Sequence, residues 1–123
     1  MKKNVFNIFL YVLLFLSAGH LQAQQPANVK GTWNMSVESS VGSGSPSFEL
    51  KHITDSTVAG TYQGQLGEAQ VKGTLKGNKI YLSFEVSSNL IEYDGVVDGD
   101  TMKGKVKLGS LGEGSFTGTR KKA

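Results

Sequence analysis

Residues 71–86 read VKGTLKGNKIYLSFEV, and their parity decides the fold. Before the dipeptide Gly77-Asn78, Val71, Gly73 and Leu75 alternate with Lys72, Thr74 and Lys76; after it, Ile80, Leu82, Phe84 and Val86 alternate with Lys79, Tyr81, Ser83 and Glu85. Alternation at period two marks a half-buried strand. A Gly-Asn pair between two such runs is the chemistry of a two-residue hairpin. Placed as the turn, it sets Leu75 opposite Ile80, Gly73 opposite Leu82 and Val71 opposite Phe84. Every inward residue then meets an inward one, and the hairpin has one dry face and one wet face.

Working outward, the same grammar recurs. A phrase of apolar residue, spacer, glycine and Thr or Lys returns as Val58-Ala59-Gly60-Thr61, Met102-Lys103-Gly104-Lys105 and Phe116-Thr117-Gly118-Thr119, with Gly31-Thr32-Trp33 a variant. Including the first pair, eight alternating runs of about seven residues emerge. The further inward faces are Trp33, Met35 and Val37; Phe48 and Leu50; Val58, Gly60 and Tyr62; Ile91, Tyr93, Gly95 and Val97; Met102, Gly104, Val106 and Leu108; and Phe116, Gly118 and Arg120. A second turn at Gly99-Asp100 sets Val97 against Met102 and Tyr93 against Val106. On the outer face it pairs Asp94 with Lys105 and Glu92 with Lys107, which gives two lysines of a basic stripe cross-strand carboxylates.

The expectation is an all-β domain, an eight-stranded antiparallel up-and-down meander closed into a small barrel. Inward glycines fit tight curvature, and closure removes exposed sheet edges. A two-sheet sandwich satisfies the same alternation and ranks second, because the order shows no long crossover. Short turns near Thr54-Asp55-Ser56, Gly77-Asn78 and Gly99-Asp100 fall at one end. The longer segments Ser39 to Ser47, Gln63 to Glu68, Ser87 to Leu90 and Gly109 to Gly114 fall at the other, so the barrel should have a floor and a mouth.

The first residues belong to a different problem. Lys2 and Lys3 precede an apolar run from Ile8 to Leu16 and then Ser17-Ala18-Gly19, the pattern of an export signal. That run is far below the roughly 20 residues of a spanning helix, so no transmembrane anchor is expected. The division expected is a signal peptide over 1–23, a polar leader over 24–30, a barrel over 31–120 and a tail over 121–123, with the protein exported to the periplasm or the medium. The net charge of +3 includes Lys2 and Lys3; without them eleven basic and ten acidic side chains remain. A nearly neutral surface gives no electrostatic case for nucleic acid or an anionic membrane. A membrane-spanning barrel is disfavoured by the short strands and the basic ending Arg120-Lys121-Lys122. With no cysteine, stability must come from the sheet itself.

Gly31-Thr32-Trp33 on the first strand and Arg120 on the last resemble the calycin superfamily of lipocalins, fatty-acid-binding proteins and avidins. That resemblance implies that Trp33 and Arg120 pack together to close one end. Gly60-Thr61-Tyr62 after a first-strand Gly-Thr-Trp looks more like avidin than lipocalin, yet the later tryptophans that line a biotin site are missing, so biotin binding is not implied. The whole region also resembles small glycine-rich barrel modules of exported bacterial proteins, found alone or attached to amidohydrolase-like enzymes.

Chemistry has few footholds. His52 is the one histidine outside the leading segment, and no cysteine set or helical histidine pair exists for a metal. Near the tight end, His52 reads as a hydrogen-bonded structural residue. Asp98-Gly99-Asp100 reads as hairpin chemistry rather than a calcium loop. Glu38, Glu49, Glu85, Glu92 and Asp94 all face outward, where no cleft pairs them for acid–base work, so neither catalysis nor a cofactor is expected. The mouth remains: Phe48, Tyr62, Phe84 and Tyr93 point inward in its upper half, and the loops bring Val41, Leu66, Leu90 and Leu111. The leading reading is a small apolar or amphipathic ligand held there. The alternative is a protein-interaction or inhibitor module that uses the same loops, with the family resemblance adding the option of an accessory to an exported hydrolase.

Overall fold

The computed structural model describes residues 27–122; the expected signal segment, its cleavage point and the first leader residues lie outside this range. Nine antiparallel strands follow in chain order: β1 Gly31–Ser39, β2 Gly42–Gly44, β3 Ser47–His52, β4 Thr57–Gly64, β5 Gly67–Lys76, β6 Lys79–Val86, β7 Asn89–Asp98, β8 Thr101–Leu108 and β9 Glu113–Arg120. Each strand from β3 to β9 pairs with its neighbours in sequence, β3 pairs with β1, and β9 returns to pair with β1 from Trp33↔Arg120 to Ser39↔Gly114. The protein is therefore a closed eight-stranded meander with one short extra strand, β2. The registers deduced around both turns hold, with Leu75↔Ile80, Gly73↔Leu82, Val97↔Met102 and Asp94↔Lys105 as partners, although the β5–β6 ladder ends at Lys72↔Ser83, one step before the expected Val71–Phe84 pair.

Alternation translates directly into an inside and an outside. Trp33, Phe48, Leu82 and Val106 are fully buried, and the core runs continuously through twenty buried apolar side chains, Val29 and others contributed by every strand except β2. Glycines sit where neighbouring strands approach too closely for a side chain. A Cβ at Gly60 would overlap the Glu49 carbonyl oxygen, and one at Gly104 would overlap that of Asp94. Curvature, rather than flexibility, is what these positions supply. The lysine stripe differs from expectation in one respect: among the described residues the ion pair formed is Arg120–Asp100. Lys105 and Lys107 share register with their carboxylates while their long side chains remain free in solvent.

The floor is sealed by one side chain. Arg120 lies over the Trp33 indole at 4.6 Å, and its guanidinium donates to the carbonyls of Lys30, Asn28 and Gly99 and to the Asp100 carboxylate. Trp33 Nε1 in turn donates to the Val29 carbonyl at 2.9 Å, and the Val29 amide donates to His52 Nε2 at 3.0 Å. Residues 27–30 are therefore more than a polar leader. Val29 is fully buried, and this segment plugs the closed end because Arg120, Trp33 and His52 satisfy its backbone. Since His52 Nε2 accepts, its proton resides on Nδ1, which faces the Thr54 carbonyl.

The mouth end is tighter than the sequence reading implied. Residues 39–47 form a hairpin turning at Ser40-Val41, and Gln65-Leu66 and Ser87-Ser88 are two-residue turns closed by Gly64↔Gly67 and Val86↔Asn89. Strands β4 to β9 accordingly run to eight or ten residues. Only Gly109–Leu111 makes a longer connection among these, as one 3-10 turn. Ser87 and Ser88 adopt left-handed φ values of 52° and 69°, where Asn-Gly is the usual pair.

Two stability outcomes follow from this geometry. Arg120→Ala should lower the urea unfolding free energy by about 3 kcal/mol, whereas Asp100→Asn, whose carboxylate is 68% exposed, should cost less than about 1 kcal/mol. Ser88→Gly should raise the unfolding midpoint, by about 0.5 to 1 kcal/mol of stability, because it relieves a left-handed serine.

Candidate functional site

A break in the wall beside Pro46 positions the site; the β5–β6 ladder also stops short of the mouth, at Lys72↔Ser83. β2 pairs with the end of β1, and β3 resumes against β1 after Ser45-Pro46, so β2 and β3 are one strand interrupted at a proline that lacks an amide donor. Pro46 still accepts from the Met35 amide, which holds the chain to β1. On the other side, β4 pairs with β3 only as far as Ser47↔Gln63. Beyond that point the ladder between residues 42–46 and the β4–β5 turn is not continued. The side chain of Gln65 reaches across: a Cβ at Gly44 would come within 3.4 Å of its Oε1.

Behind this break lies a cavity of about 90 Å³. Its wall includes Tyr62 and Tyr93 below, Val37 and Leu108 at the sides, and Val41, Leu66 and Leu111 at the rim. None of its lining side chains is an Asp, Glu, Lys, Arg or His. Gly64 leaves room for a phenol, since a Cβ there would fall 2.5 Å from the Tyr62 hydroxyl and 2.9 Å from Pro46.

The residues singled out from sequence separate into two layers. Tyr62 and Tyr93 reach the cavity, while Phe48 and Phe84 lie outside its lining as part of the packed interior. All four share one aromatic cluster: Tyr62 stacks on Phe84 at 4.3 Å between ring centroids, and Phe48 meets Tyr62 and Tyr93 edge-on at 5.4 and 5.0 Å. Such a cluster is filled by its own rings. Of the four loop residues, Leu90 does not join the rim: it stands at an outward position of β7 opposite Glu85, 45% exposed. Pro46 and Gln65, which create and span the break, were not singled out from sequence. The signal available was the Pro46 within an otherwise alternating stretch, a mark of interrupted pairing.

Burial governs the chemistry of the phenols. It pushes the Tyr62 hydroxyl above the ordinary value of 10.0, against a smaller opposing effect from a hydrogen bond with the Leu66 backbone. Tyr93, more deeply desolvated and facing Tyr62, is pushed higher still. Both therefore present neutral O–H groups. Tyr81, on the outer face, is also raised, first because its hydroxyl donates to the Glu92 carboxylate and then by burial.

Larger hollows exist on the outer wall, about 920 Å³ over β6 to β9 and about 490 Å³ over β1, β3 and β4. They are broad troughs open to solvent and bordered by charged residues of both signs, including Lys103, Lys105, Glu92 and Asp94 in the first. Such surfaces do not exclude water, so they hold an apolar molecule poorly. Among the described residues no cluster of three or more His, Cys, Asp or Glu comes together as a metal-holding set.

The barrel is similar to designed proteins. A redesigned β-barrel matches with a TM-score of 0.61 at 12% identity, covering 76% of this chain and 91% of that one. A de novo designed fluorescence-activating β-barrel matches at 0.54 and 18% identity, over 76% and 94% of the two chains. The redesigned barrel mFAP1, bound to DFHBI, matches at 0.55 and 11% identity, over 75% and 94%. No family model and no curated protein matches the chain. At these identities the likeness shows the fold alone.

The raised phenols set an alkaline limit. Below pH 10.0 the tyrosines are protonated in both states, and above it the unfolded chain sheds protons that folded Tyr62, Tyr81 and Tyr93 retain. Stability is thus full below pH 10.0 and falls as pH rises past it. Ultraviolet titration should show their phenolates appearing together with loss of the fold. A gradual titration at the ordinary value with β-structure intact would contradict the burial argument.

Proposed function

We propose that the protein is an exported, non-catalytic barrel that takes a small apolar or amphipathic molecule into its mouth, at the break beside Pro46. The observation that carries this reading is the uncharged cavity of about 90 Å³ with Tyr62 and Tyr93 on its wall. The cavity opens to solvent at its rim, where Val41 and Leu111 are exposed, so a guest seated there would take apolar surface out of water. The fold of the fluorescence-activating barrel and of mFAP1 bound to DFHBI supports the reading by likeness, since barrels of this shape admit small molecules. Export rests on the pattern of residues 1–23, and kinship with calycins on the Trp33–Arg120 closure together with the first-strand glycine.

A second reading is favoured by the rim itself. Val41 and Leu111 are 61% and 41% exposed, and a protein-interaction or inhibitor module, such as an accessory to an exported hydrolase of the amidohydrolase-like kind, would use such residues as contacts. The two readings separate experimentally. Native mass spectrometry of protein taken from its own host should show a retained small molecule, and Tyr62→Phe or Tyr93→Phe should reduce the thermal stabilisation that molecule gives, with the apo unfolding temperature little changed. Retention of a partner protein, lost in Leu111→Asp while the barrel stays folded, would establish the interaction module instead.

A further inference from the structure

Resting on the reading of the mouth as a ligand site, we propose that it is built for a neutral carbonyl compound with an unbranched apolar tail, inserted head first. The uncharged lining argues against a charged head. A carboxylate or ammonium group drawn into the cavity would lose its hydration without meeting a counter-ion. A purely apolar guest would in turn leave two phenol groups facing hydrocarbon, which wastes their hydrogen bonds.

The phenols define the complementary head group. Tyr62 brings a neutral phenol to the cavity wall, since burial holds its hydroxyl above the ordinary value. Tyr93 lines the same cavity and brings a second neutral phenol to it. Two neighbouring O–H donors suit one acceptor with two lone pairs, which is a carbonyl oxygen. Gly64 keeps the Tyr62 hydroxyl in place, because any side chain there would collide with it.

Size settles the orientation. About 90 Å³ is well short of the roughly 150 Å³ cavity that takes up benzene, so the space admits an acetyl-sized group rather than a ring. The tail must then pass out through the break beside Pro46. There it lies over Val41, Leu66 and Leu111, apolar side chains of which the first and last are 61% and 41% exposed without it.

The test compares four probes of one chain length on the whole protein by isothermal titration: decan-2-one, decan-1-ol, decanoate and decane. Decan-2-one should bind about tenfold more tightly than decane and at least about tenfold more tightly than decanoate, with decan-1-ol between. Tyr62→Phe and Tyr93→Phe should each weaken the ketone about fivefold and leave decane unaffected. The Tyr→Phe proteins keep the rings and hence the fold, which circular dichroism verifies. Decanoate or decane binding as well as the ketone would overturn the proposed ligand class while leaving the mouth a ligand site. Failure of all four to bind would overturn that site reading as well.

Discussion

Closure of the last strand on the first is the constraint from which the rest of the structure follows. Seven residue pairs in register join β1 to β9, and at their lower end Arg120 is fixed between the Trp33 indole and carbonyls from the N-terminal segment and the β7–β8 turn. A guanidinium suits this position because its planar face covers the ring while its edge carries several donors. With both edges joined, the sheet has one interior, and its inward side chains have no other place to go. The same clamp recruits Val29, which is fully buried and plugs the floor.

The interior is occupied by the protein's own aromatic rings, which limits where a ligand fits. Space survives at the break that Pro46 introduces between the β2–β3 strand and the β4–β5 turn. A proline cannot donate to the ladder, so the wall parts there, and small residues on both sides keep the gap from refilling. Gly42, Gly44 and Gly64 belong to that pattern as much as the two tyrosines do. Sheet closure and local sheet failure thus act together: one encloses a dry interior, and the other leaves a small cavity at the mouth.

Much of the fold was legible because period two leaves little freedom. Leu75, Gly77-Asn78 and Ile80 dictate one register, and a slip by a single residue would turn every core side chain outward. The Trp33–Arg120 closure was legible through a resemblance, and the geometry agrees with it. What escaped the sequence was of another kind. Val29 sits in a polar stretch with no alternating partners, and its burial depends on Trp33 together with Arg120 and His52, the last two distant in sequence. The compact turns at Gln65-Leu66 and Ser87-Ser88 lack the usual turn residues in sequence, so they were read as longer loops. Phe48 and Phe84 share the parity of Tyr62 and Tyr93, and parity assigns a face without assigning depth. Leu90 was placed at the rim because the β6–β7 connection was read as longer than it is.

The measurement that bears most directly on this account is nuclear magnetic resonance of isotopically labelled protein as a host-retained or added ligand is titrated in. The account predicts that amide and tyrosine shifts move together at residues 41–46, Tyr62, Gln65, Leu66 and Tyr93, while Trp33, Arg120 and the outer faces of β6 to β8 stay still. Shifts concentrated on the outer trough around Tyr81, Val96 and Lys103, with the mouth unaffected, would contradict it.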